Sequence, residues 1–227
     1  MIGHMVFRFK ICGITSVNDA LAAVEAGADA VGLNFYRGSS RCISIPEAKA
    51  IADALTYEVD RIGVFANASA EEIREICKAT RLHLIQLHGD EPPEFLGELN
   101  KEFDIIRARR LDERGTQPIV EDIEACAELA GFGPDAILID ASLPGTYGGT
   151  GHKVDWQLLS NHGDWWRSWP LILAGGLTPD NVAEAIRIVR PQGVDVASGV
   201  ESSPGKKDPV TMRDFVAAAR EAFAGLE

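Results

Sequence analysis

The sequence predicts an α/β fold made of one domain, a (β/α)8 (TIM) barrel. Three observations carry this. Short apolar runs alternate with helical patterns along the whole chain and make about eight βα units. Runs such as Ile137-Leu138-Ile139 and Leu171-Ile172-Leu173 are apolar on both faces, which suits parallel strands covered by helices. The turn after the first run, Cys12-Gly13-Ile14-Thr15, lacks the G-x-G-x-x-G spacing that an open dinucleotide-binding sheet places there.

Taken in order, strands are expected at 6–12, 30–34, 61–65, 82–87, 104–108, 136–140, 171–174 and 194–197. Helices are expected at 16–26, 46–55, 70–80, 92–100, 119–130, 155–160, 179–189 and 209–224. Ser69 followed by Glu72 reads as a capping box. Thr178-Pro179 reads as an N-cap with proline in the first turn. Gly27 after Ala26 reads as a helix stop. No linker or low-complexity segment divides the chain, and residues 225–227 are expected to fray.

Composition excludes several functions. The net charge of -12 argues against a nucleic-acid partner, which needs a basic footprint. A small anionic substrate stays open if its pocket is locally positive. The four cysteines form no C-x-x-C pair, so neither a zinc nor a thioredoxin-type site is signalled. Reduced thiols in a cytoplasm are the default for a chain of this size. No run reaches the roughly 18 apolar residues of a membrane span. Residues 1–4 read as an expression scar, with the domain covering 5–227.

A barrel of this kind carries its chemistry at the C-terminal ends of its strands. That rule gathers Cys12, Asn34, Arg41, Gln86, His88, Asp140, Gly175, Gly176, Ser198 and Gly199 at one mouth. Glycines after strands 7 and 8 let backbone N–H groups approach an anion, which points to phosphate. A third glycine-rich stretch, Gly145-Thr146-Tyr147-Gly148-Gly149-Thr150-Gly151, reads either as a lid adding amides or as a plain loop.

Cys12 and Asp140 both end strands, and a thiol facing a carboxyl group can serve as base and acid. The thiolate then needs nearby positive charge. The competing reading of Cys12 is a small buried apolar residue. Lys10 shares the Cys12 face and needs a partner when buried, for which Asp195 on the neighbouring strand 8 is the candidate. Arg41 suits either a bidentate carboxylate clamp or a solvated loop. His88 suits either substrate hydrogen bonding or a structural bond. No His, Asp or Glu grouping has metal-ligand spacing, so no metal is expected.

The ordered set Lys10-Ile11-Cys12-Gly13, Arg41-Cys42-Ile43-Ser44, Gly63-Val64-Phe65, Gln86-Leu87-His88-Gly89, Gly148-Gly149-Thr150-Gly151, Ala174-Gly175-Gly176-Leu177 and Ser198-Gly199-Val200-Glu201 resembles the phosphoribosylanthranilate isomerase family. The resemblance runs from the first strand to the last. It implies a (β/α)8 barrel without cofactor or metal and an intramolecular oxidoreductase of the aldose–ketose isomerase class. It also implies an Amadori rearrangement of N-(5'-phosphoribosyl)anthranilate, the third committed stage of tryptophan biosynthesis. By position, Cys12 matches the family's general base and Asp140 its general acid. Arg41 matches the holder of the anthranilate carboxylate, and Gly175, Gly176, Ser198 and Gly199 match the phosphate site. Asp195 matches a strand 8 carboxylate near the substrate, while Gln86, His88 and Gly149 are expected to line it. The implied partner is a small phosphosugar–anthranilate molecule, bound by a monomer or homodimer without nucleic acid or membrane.

Two departures from the family pattern stand out. Cys42 follows Arg41 where an aromatic residue is usual. Asn161-His162-Gly163-Asp164-Trp165-Trp166-Arg167-Ser168-Trp169 is longer and more aromatic than usual, which fits packing on the barrel or a dimer contact. Rival readings are a metal-dependent pentulose-phosphate epimerase, a dual-substrate isomerase and a phosphate-ligand sensor. The epimerase would need histidine and aspartate ligands at several strand ends, and only His88 is well placed for that. The dual-substrate enzyme pairs two aspartates where this chain has Cys12. The sensor would bind without turnover and has no use for Cys12 and Asp140 together.

Overall fold

A strand that is apolar on both faces needs cover on both, and closure supplies it. In the computed structural model, which describes residues 7–99, 101–112, 114–140, 156–160 and 169–226, eight parallel strands close into a barrel in sequence order. They are β1 (Phe9–Cys12), β2 (Ala30–Asn34), β3 (Asp60–Phe65), β4 (Leu84–Leu87), β5 (Asp104–Arg110), β6 (Ala136–Asp140), β7 (Leu171–Ala174) and β8 (Gly193–Val196). β8 pairs back onto β1, with Lys10 opposite Asp195. The helices are α1 (Val17–Glu25), α2 (Ile45–Ala54), α3 (Ala70–Thr80), α4 (Leu96–Leu99), α5 (Gln117–Ala130), α6 (Gln157–Ser160), α7 (Val182–Val189) and α8 (Pro209–Ala224). A short hairpin, β9 (Glu201–Ser203) and β10 (Lys206–Lys207), follows β8. Among the described residues no helix is long and apolar enough to cross a membrane.

Two cores follow from the alternation of side chains along each strand. Outward residues such as Ile11, Leu33, Ile85, Ile137 and Leu173 pack against the helices. Inward residues, Phe7, Ala30, Ile62, Leu84, Ile106, Ala108, Ala136, Leu138, Ile172 and Ala174, fill the barrel. Emptying one such position, as in Ile106→Ala, costs about 2–5 kcal/mol. This apolar plug matters for function because it leaves only the top of the barrel for polar groups.

Helix starts follow local chemistry with three differences from the sequence expectation. Ser69 accepts from the Glu72 N–H, but the reciprocal box forms at Ser44 and Glu47, where each side chain meets the other's backbone. Thr178 does not cap α7. Asn181 Oδ1 accepts from the Thr178 N–H at 2.8 Å and Asn181 Nδ2 donates to the Gly176 carbonyl at 2.9 Å. That closes a turn over 178–181, and the helix begins only at Val182. Gly27 stands just past the end of α1 with φ 92°. The expected helix at 92–100 is a 3-10 turn, Pro93–Phe95, running into the single turn of α4.

Residues 1–4, the stretch 145–151 with Gly149, and 161–168 lie outside the described residues. Trp169 is described, and it packs on the outer core, where a side chain on Gly133 would meet its indole at 2.5 Å.

Candidate active site

The site is built on strand register. Cys12 stands opposite Gly32, where a Cβ would come within 2.7 Å of the thiol sulfur. The glycine therefore makes room for Sγ inside the barrel. One step below, Lys10 is fully buried and pairs with Asp195 at 3.0 Å, as its position on the strand predicted. Lys10 Nζ also donates to Gln86 Oε1 at 2.9 Å. Gln86 Nε2 meets His88 Nδ1 at 2.7 Å, and His88 Nε2 lies 3.7 Å from Asp140 Oδ2. A polar line thus crosses the barrel from β8 through β1 and β4 to β6. It brings Cys12, His88 and Asp140 to one mouth. Gln86 has no accessible surface and lies beneath the mouth, engaged at both ends of its amide.

The charges around Cys12 are mixed. Burial pushes its thiol up from the ordinary 9.0, and Asp195 adds to the rise. Lys10 and Lys207 pull the other way without winning. The positive charge expected beside the thiol is present, but it does not overcome desolvation. For Lys10, burial would lower the pKa, yet Asp195 and Cys12 raise it above 10.5. Asp195 Oδ1 is buried and has no hydrogen-bond partner among the described residues.

Arg41 reaches the same mouth from the loop after β2. Its stem lies over Gly13, where a Cβ would collide with Arg41 Cδ and where φ is 73°. Its Nε and Nη2 donate to the two oxygens of Glu201, each at 2.7 Å. Lys207 Nζ donates to Glu201 Oε1 and to the Ala197 carbonyl, each at 2.9 Å. Burial alone would raise the Glu201 carboxyl, but Arg41 and Lys207 hold it below the usual range. Burial lowers Lys207, with Glu201 opposing. The sequence reading missed this Lys207–Glu201–Arg41 group, although it quoted Glu201 at the end of a motif. The available signal was a carboxylate placed beside an anion-binding loop, which requires a cation to neutralise it. Asn34 serves its own loop, accepting from the Tyr36 N–H at 2.8 Å. Cys42 stays at the rim as a half-buried free thiol, and the aromatic contact in this region is instead Phe35 stacked on Phe65 at 5.2 Å.

The loops after β7 and β8 touch. Gly175 and Gly176 take φ of 91° and 63°, and a Cβ on Gly199 would strike the Leu177 carbonyl oxygen. Ser198–Val200 forms one 3-10 turn. Glycine meets both demands, a positive φ at 175 and 176 and a close backbone approach at 199. Among the described residues no three His, Cys, Asp or Glu side chains gather as metal ligands would.

A family profile described as N-(5'phosphoribosyl)anthranilate (PRA) isomerase matches residues 9–218. The chain belongs to the phosphoribosylanthranilate isomerase family. An N-(5'-phosphoribosyl)anthranilate isomerase of Neisseria meningitidis is 46% identical over 214 residues, covering 93% of this chain and 96% of the relative. The crystal structure of the Thermotoga maritima phosphoribosyl anthranilate isomerase superposes with a TM-score of 0.82 at 41% identity, covering 94% of this chain and 98% of that one. A phosphoribosyl anthranilate isomerase structure in complex with reduced 1-(o-carboxyphenylamino)-1-deoxyribulose 5-phosphate matches with a TM-score of 0.77 at 38% identity over 94% of this chain and 98% of that one. Membership makes the chain an enzyme of tryptophan biosynthesis, an aldose–ketose isomerase on a single-domain barrel.

Proposed function

We propose that this enzyme converts N-(5'-phosphoribosyl)anthranilate to 1-(2-carboxyphenylamino)-1-deoxyribulose 5-phosphate by acid–base chemistry of its own side chains. The observation that carries the reading is the polar line that joins Lys10 below Cys12 to His88 and Asp140 at one mouth.

Asp140 gives its proton to the furanose ring oxygen. The C1–O bond breaks toward that oxygen, and the anthranilate nitrogen lone pair forms a C1=N iminium. Cys12, as thiolate, then takes the proton from C2, and the electrons of that bond make a C1=C2 enamine. A proton then adds at C1 while the C2 hydroxyl releases one, which gives the C2 ketone and leaves no net proton gained or lost in that step. The iminium acidifies the C2 proton, so a thiol-derived base is strong enough. Its positive charge also arrives next to a sulfur whose ionisation burial opposes. The cation therefore adds to Lys10 and Lys207 and favours the thiolate when it is needed.

The two anionic ends of the substrate fit the two kinds of donor. Backbone N–H groups around Gly175, Gly176, Ser198 and Gly199 would hold the phosphate. Arg41 would hold the anthranilate carboxylate through the guanidinium edge that Glu201 leaves open. Asp195 Oδ1, lacking a described partner, would accept from a sugar hydroxyl. Gly149 is proposed as a further substrate contact. The four free cysteines fit a reducing compartment such as the cytoplasm.

Loss of the anthranilate-type fluorescence of phosphoribosylanthranilate on mixing with purified protein tests the reading. Binding without fluorescence decay would instead favour a sensor of phosphorylated ligands.

A further inference from the structure

Hydrogen-bond direction along the polar line has a chemical consequence. Lys10 Nζ has only protons to offer, so the Gln86 atom facing it at 2.9 Å must be the carbonyl oxygen. That fixes the amide, and its N–H2 end faces His88 Nδ1 at 2.7 Å. Nδ1 must then accept, since a proton there would set two donors face to face. The ring proton sits on Nε2, the atom 3.7 Å from Asp140 Oδ2. A buried lysine on β1 thus selects the tautomer of a histidine at the end of β4.

We infer that Gln86 is a positioning residue that holds His88 with its proton on Nε2, so that this N–H stabilises the carboxylate Asp140 becomes. The inference rests on the proposed isomerase chemistry. When Asp140 passes its proton to the ring oxygen and the C1–O electron pair moves to that oxygen, a negative charge appears on Asp140. A donor aimed at that charge bonds the product carboxylate more strongly than the neutral acid. The gain lies in the transition state and not in substrate binding, so it belongs in kcat. The opposite tautomer would turn a lone pair toward the same oxygen. Lys10 therefore acts on both halves of the reaction, through its charge at Cys12 and through Gln86 at Asp140.

The test has a spectroscopic arm and a kinetic arm. Long-range nitrogen–proton spectra of the substrate-free protein resolve the tautomer of each histidine, with His88 assigned by its loss in His88→Gln. Wild type should show Nδ1 bare and Nε2 protonated. Gln86→Glu gives Lys10 and Nδ1 a carboxylate and should move the proton to Nδ1. Its kcat should fall about ten- to hundredfold while KM changes less than about threefold. Gln86→Met, close in volume and without hydrogen bonds, should show mixed tautomers and an intermediate kcat, and it serves if the glutamate variant fails to fold. A wild-type His88 protonated on Nδ1 would overturn the inference. So would a Gln86→Glu enzyme whose tautomer moves while kcat does not, or whose loss lies wholly in KM. No turnover by wild type would instead sink the isomerase reading, and the tautomer result on substrate-free protein separates the two failures.

Discussion

Glu201 grips Arg41 by two nitrogens at once, Nε and Nη2, each at 2.7 Å. The same carboxylate neutralises Lys207, whose side chain is fully buried. One acid on β9 therefore holds the proposed carboxylate clamp in place and satisfies a cation beneath it. Two substitutions separate these roles. Glu201→Ala leaves Lys207 buried without a counter-charge and should cost about 3–5 kcal/mol of stability, read as a lowered urea midpoint. Arg41→Ala leaves the Glu201–Lys207 pair intact and should mainly weaken substrate binding. Its KM should rise at least about tenfold, since a charged hydrogen bond contributes roughly 1.5–3 kcal/mol. An unchanged KM would remove Arg41 from the site.

Cys12→Ala and Asp140→Asn each remove a proposed proton-transfer group and little packing. Cys12 is a small side chain against Gly32, and Asp140 stands at the open end of β6. Each substitution should lower kcat by about 10²–10⁴-fold, the usual contribution of a positioned acid or base, with thermal unfolding close to wild type. Near-normal turnover in Cys12→Ala would show that the C2 proton leaves by another route.

Much of this was legible in the chain. Repetition of βα units and doubly apolar strands such as Ile137-Leu138-Ile139 predict the barrel, because only buried parallel strands tolerate apolar residues on both faces. The Lys10–Asp195 pair follows from strand alternation once the barrel closes. What the sequence hides is the partner of a side chain that crosses between loops. Nothing local ties Arg41 to Glu201, which stands 160 positions away. The placement of Gln86 beneath the mouth is hidden for a related reason. Strand alternation gives the face of a side chain, while its depth depends on how far neighbouring strands are staggered. Thr178 misled because proline in the next position suits a turn as well as a helix start, and Asn181 closes the turn.

Gly199 is the point where the loops after β7 and β8 meet. A Cβ there would strike the Leu177 carbonyl, which is backbone and cannot rotate away. Gly199→Ala should push the two loops apart and spoil both sets of amide donors. KM should rise, and inhibition by inorganic phosphate should weaken in parallel, because both would use the same proposed phosphate site. Gly176→Ala meets no neighbouring atom and is strained only through its φ of 63°, so its effect on both quantities should be smaller. Equal effects of the two substitutions would show that loop contact is not what matters at Gly199.

Buried thiols make the fold sensitive to alkali. Burial pushes Cys77 up to about 12 and Cys126 up to about 11, against an ordinary 9.0. In the unfolded chain both ionise near 9.0, while the folded chain keeps its protons. Their stabilising effect is therefore complete below that value and is lost as pH rises toward the folded values. Above it the unfolded state binds fewer protons, so stability falls with pH by at most about 1.4 kcal/mol per unit for each thiol. Lysines and tyrosines titrate in the same range, so the comparison must be with a variant. Urea midpoints measured between about pH 8 and pH 10.5 should decline more steeply in wild type than in a Cys77→Ala/Cys126→Ala double variant. The double variant starts lower because each substitution leaves a small void behind α3 and α5, yet its curve should be flatter. Parallel curves would mean that these two thiols ionise alike in the folded and unfolded chains, and that burial at Cys77 and Cys126 does not hold their protons.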